Sequence, residues 1–123
     1  MAVSIDELIA KRDEIKAKRQ NMYELETSIG VVVARVPDTK LVADSWNMTD
    51  SMEGNKYIIL NSVVSPNLKD KTLQKSFNCV EPTDIVPALF DAGEIARIAS
   101  ALLNLAGYKG EKIVPKLYKE VKN

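Results

Sequence analysis

The sequence predicts a mainly α domain with one small antiparallel β-hairpin near its N-terminus, an α+β class. Three observations predict it. Apolar residues recur at helical spacing, behind capping residues, over most of the chain. One stretch, residues 22–36, is instead rich in β-branched residues and is broken by Ser28-Ile29-Gly30. The length of 123 residues, 46% hydrophobic and 28% charged, is that of one soluble globular domain, residues 1–123. Area scaling allows about two-thirds of such a chain's surface to be buried, so folding needs no staple.

The elements follow in order. Ser4-Ile5-Asp6-Glu7 has the form of a capping box and opens a helix over residues 5–19. Ile5, Leu8, Ile9 and Ile15 share one face, and charged residues fill the rest. Residues 22–27 and 31–36 form the hairpin, with Gly30 supplying the positive φ of a tight turn and Pro37 stopping the second strand. Asp38 or Thr39 caps a short helix through Leu41, Val42 and Trp46, with Trp46 a core or edge packing residue. Asp50 starts a central helix running into the uncharged stretch 57–64, with Tyr57, Leu60 and Val64 on one side. Pro66 ends it. Residues 70–77 form a helix with Leu73 and Phe77 inward, and residues 78–82 are a connection. Thr83 or Asp84 caps the next helix, with Pro87 near its first turn and Gly93 as its stop. Glu94 begins the cleanest helix, with Ile95, Ile98, Ala99, Leu102, Leu105 and Ala106 as its stripe and Gly107 as its C′ residue. Residues 109–123 read as a C-terminal helical segment, set off by Gly107 and Gly110, which either docks on the chain's own core or detaches to order on a partner.

Composition removes whole classes of chemistry. The chain has 17 basic and 17 acidic residues, no His and one Cys. Zero net charge gives no long-range pull toward nucleic acid or an anionic membrane, and neither is expected as a partner. Without His there is no imidazole base and no Ser-His or Cys-His nucleophile. Cys79 alone makes neither a disulfide nor a zinc site, and it reads as a packing residue. The carboxylate pairs Asp6/Glu7, Asp13/Glu14 and Asp91/Glu94 are accounted for by solvation and helix starts. No catalytic residue, cofactor site or metal site is expected. The N-terminus lacks the apolar core of a signal peptide, and no apolar run is long enough to span a bilayer. Charge is uneven: residues 36–91 hold five basic and eight acidic residues, whereas residues 92–123 hold six and three. A basic end on an acidic middle suits docking onto a complementary protein surface or another copy of the chain.

A longer pattern is more specific. It comprises Asn55-Lys56-Tyr57, Pro66-Asn67-Leu68-Lys69-Asp70 with Leu73, Cys79 through Val86, Leu89-Phe90, Gly93-Glu94-Ile95 and Leu105-Ala106-Gly107-Tyr108. It resembles the XkdN-like tail assembly chaperones of tailed phages and defective prophages. The opening is similar too, through its capped charged helix and Tyr23-Glu24-Leu25-Glu26. The resemblance implies a non-catalytic protein of the host cytoplasm that binds the tape measure protein and keeps it soluble while tail tube protein polymerises along it. It also implies that the chaperone leaves before the virion is complete. It supplies no binding residues. From the residues themselves, the expected partner-binding row is Val114, Leu117 and Val121, with Lys112 and Lys116 beside it. The rival readings are a small nucleic-acid-binding regulator and a structural tail component retained in the virion.

Overall fold

The structure, a computed structural model, describes residues 2–108. Helices α1 (Ile5–Ala10) and α2 (Arg12–Gln20) lead into strands β1 (Met22–Thr27) and β2 (Gly30–Arg35). Then come α3 (Thr39–Trp46), α4 (Ser51–Ser62), β3 (Val63–Ser65) and α5 (Lys71–Ser76). A 3-10 turn at Pro82–Asp84, α6 (Ile85–Leu89) and α7 (Ala92–Leu105) complete the described chain. The α+β class is therefore as the sequence predicts.

The hairpin is joined by a third strand, so the sheet is antiparallel in the order β1-β2-β3. Two residues explain the addition. Val63 takes an extended conformation at the end of α4, and its β-branched side chain suits the ladder, where it pairs with Ala34. The uncharged stretch 57–64 is thus helix to Ser62 and strand beyond it. Gly30 has φ 122° at the hairpin turn, a conformation open to glycine at no steric cost.

Helix α4 is the centre of the molecule. Ile58, Ile59, Leu60 and Ser62 are all buried, so its buried surface is wider than the single side formed by Tyr57, Leu60 and Val64, and Tyr57 is only half-buried. Against it pack α3 and α7, with Val42, Ile95, Ile98, Ala99 and Leu102 buried. Val32 and Ala34 bring the sheet to the same core, and Leu68, Ile85, Val86 and Phe90 complete it. Helix starts follow side-chain oxygens. The carboxylates of Asp38, Asp50 and Asp70 accept from the backbone N–H groups of Leu41, Met52 and Leu73. Gly93 stops no helix. It lies in the first turn of α7, which starts at Ala92, while α6 ends where Phe90 turns extended. Gly107, with φ 89°, follows α7, and the Tyr108 N–H donates to the Leu103 carbonyl as a Schellman-type end.

The N-terminal helix departs most from its expected form. It breaks at Lys11 into two short pieces, and its apolar stripe meets no core. Ile5 is 76% exposed and Ile9 58%. The Ser4 hydroxyl does accept from the Glu7 N–H at 3.1 Å, as the capping box requires. Trp46 is likewise exposed and packs edge-on against Tyr108, ring centroids 5.0 Å apart. Phe77, expected inward, is exposed at the end of α5, while Leu73 is half-buried against the core.

Candidate partner-binding surface

A broad apolar concavity lies between α4, α5 and the loop after α5. It is an open groove of about 870 Å³. Helix α4 contributes Tyr57, Leu60 and Asn61; α5 and its approach contribute Lys69, Lys71, Gln74 and Lys75; the loop contributes residues 79–83. No helix is placed there by propensity alone. Asp70 caps α5 at Leu73, and Asn78, with φ 55°, turns the chain back so that the Cys79 N–H donates to the Gln74 carbonyl. Asn is among the few side chains that accept this left-handed conformation.

The loop is held from both sides. The Gln74 side-chain amide donates to the Leu68 carbonyl at 2.7 Å and the Pro82 carbonyl at 3.0 Å. The Asp84 carboxylate accepts from the N–H groups of Val80 at 3.0 Å and Glu81 at 2.9 Å. These bonds fix the backbone around Val80, a residue that is itself 92% exposed. A valine so exposed on a tied loop has no packing role in its own fold. Cys79 beside it is half-buried against the core, in line with its reading as a packing residue.

A second concavity, of about 580 Å³, lies where Ile15 and Lys18 of α2 approach Val36–Thr39 and the end of α7 at residues 105–108. Helix α7 is also tied to the hairpin. The Glu94 carboxylate accepts from the Ser28 backbone N–H at 2.8 Å and from the Ser28 hydroxyl. These bonds, side chain first, hold the Glu94 carboxyl below the usual glutamate range, and Arg97 adds to the effect. Glu94 is thus a tertiary tie as well as a residue of the first turn. Among the described residues, no group of three or more His, Cys, Asp or Glu could hold a metal, and no helix is long and apolar enough to cross a membrane.

A profile of the phage XkdN-like tail assembly chaperone proteins matches residues 37–122. The chain belongs to that family. The match takes in the groove, α7 and the segment beyond it, and leaves α1, α2 and the hairpin outside. No curated protein and no solved structure matches the chain. The sequence-predicted row of this tail assembly chaperone, Lys112, Val114, Lys116, Leu117 and Val121, lies outside the described residues. The groove residues escape sequence reasoning because Tyr57, Lys71 and Val80 sit on three separate elements. The one local signal is Val80 itself, an aliphatic residue between Cys79 and Glu81 in a connection with no helical period to place it inward.

Proposed function

We propose that the chain binds the tape measure protein of its phage and keeps it soluble during tail assembly, without catalysis. The observation that carries the reading is the apolar groove with the exposed, tied Val80 at its edge, inside the span that matches the chaperone family. A long helix-rich chain waiting for its tube exposes apolar ridges, which drive aggregation unless covered. A groove of this kind covers one such ridge at a time, the helix-in-groove mode. Its rim is polar and its area small, so each contact exchanges easily, as a cover that must later be displaced requires.

The C-terminal row of Val114, Leu117 and Val121, flanked by Lys112 and Lys116, is the second proposed contact. The chaperone acts in the host cytoplasm and leaves with tube closure, in proximity to the tail tube protein and to further copies of itself. Co-expression tests the core of this reading. The soluble fraction of the tape measure protein should rise with the wild-type chain and fall again with Val80→Asp or with truncation after Tyr108. Equal insolubility with and without the wild-type chain refutes it. Mass spectrometry of purified virions should find no copies of the chain.

A further inference from the structure

The charge around the groove states what kind of segment it takes. Three lysines line it, Lys69, Lys71 and Lys75, against one carboxylate, Glu81. The two other acidic groups nearby keep their charge but are held on backbone N–H groups and are not among the residues lining the groove. Asp70 accepts from the Leu73 N–H, and Asp84 accepts from the loop at Val80 and Glu81. Lys69 donates to the Asn61 side-chain oxygen at 2.6 Å, which fixes one ammonium beside α4. Among the described residues no carboxylate pairs with Lys71 or Lys75. This is unexpected in a region, residues 36–91, that is net acidic in sequence. The acids go to helix caps and loop ties, and the lysines are left facing the groove.

Lys71 and Lys75 stand four residues apart on α5, so their stems leave one side of the helix about 6 Å apart along its axis. Carboxylates at i and i+4 of a facing helix have the same spacing. Tyr57, Leu60 and Cys79 line the same groove as the lysines and Val80, and they suit an apolar ridge. We infer that the groove selects a helical segment of the partner whose apolar ridge is flanked by carboxylates. This rests on the reading of the chain as a binder of the tape measure protein, and names the chemistry of the segment bound. The tied loop makes the site preorganised, so little ordering cost is paid at Val80 on binding.

Two synthetic peptides test it by fluorescence anisotropy on the full chain. Both carry the same leucine ridge at i, i+3, i+4 and i+7; one is flanked by Glu and the other by Lys. The Glu peptide should bind roughly ten-fold tighter, the sum of a few exposed ion pairs, with the difference shrinking as salt is raised. Lys71→Glu combined with Lys75→Glu should reverse the preference, and Val80→Asp should weaken both peptides. All these side chains are exposed, so melting temperatures should stay at the wild-type value and certify the fold. Equal binding of the two peptides, or an unchanged preference in the double variant, overturns the inference. Should neither peptide bind while the double variant changes the oligomeric state in light scattering, the groove joins copies of the chain and the inference is wrong. The wider reading fails separately: wild type that does not solubilise the tape measure protein refutes the function. Wild type and double variant that solubilise it equally refute only the acidic selectivity.

Discussion

Gly54→Ala should destabilise the chaperone although it replaces a poor helix former with the best one. Gly54 is buried in the first turns of α4, where α3 crosses it. A Cβ there would come closer to the Ser45 backbone oxygen than the 3.0 Å real Cβ atoms keep, with the Ser45 carbonyl carbon at 3.3 Å. The neighbour is backbone, so no side chain can swing aside, and α3 must move. Overpacking of this kind costs about 1–3 kcal/mol, with rigid backbone on both sides placing it in the upper part of that range. The gain in helix propensity returns about 1 kcal/mol. The net loss is about 1–2 kcal/mol, which lowers the melting temperature by roughly 4–8 °C in a domain of this size. Gly93→Ala is the internal control. Its Cβ would meet only the Arg97 guanidinium at 3.4 Å, the far end of a flexible side chain. That variant should lie between unchanged and about 1 kcal/mol more stable. Urea melts of the two variants beside wild type read the comparison. A Gly54→Ala midpoint equal to or above wild type would show that the helix crossing is not close, and the reasoning would fail.

Ser62→Ala should be neutral or stabilising. Among the described residues the buried hydroxyl has no hydrogen-bond partner, a situation that costs about 1–3 kcal/mol, and a marked fall in melting temperature would refute this. Glu94→Gln should flatten the acid limb of stability. The carboxyl is depressed in the fold by Ser28, so its contribution is complete above the ordinary glutamate value and is lost as pH falls below it through the lowered one. Melting temperatures followed between pH 6 and 3 should diverge above that window and converge within it, and parallel curves for wild type and variant would contradict the tie.

The elements were legible because their ends were written locally. Asp38, Asp50 and Asp70 each precede a helix and each cap it, and Gly30 and Gly107 take the positive φ their positions require. What was not legible is what each apolar stripe faces. Ile5, Leu8, Ile9 and Ile15 have the same period as Ile95, Ile98 and Leu102, yet the first set is exposed and the second buried. Periodicity reports amphipathicity and is silent on the partner. For Ile15, on α2, charge density marks the difference. Helix α2 reads RDEIKAKRQ, with six charges in nine residues, whereas α7 has only Glu94 and Arg97 among fourteen. So dense a charge leaves too narrow an apolar strip to bury against a core.

The groove shows the complementary limit. Helix α4 has apolar residues around most of its circumference, so no sequence period says which of them reach the surface. Tyr57 and Leu60 become part of a concavity only because β3 pairs with β2 and α5 follows across the chain from them. The lysines opposite look like a solvated face in sequence, mixed with Asp70, Glu81 and Asp84 in equal number. The fold sorts these charges by position: Asp70 and Asp84 hold backbone N–H groups and are not among the residues lining the groove, and among the described residues no carboxylate pairs with Lys71 or Lys75. A stretch of balanced charge thus presents three lysines and one carboxylate to the groove. The hydrogen bonds that build the loop also decide which charges line the groove.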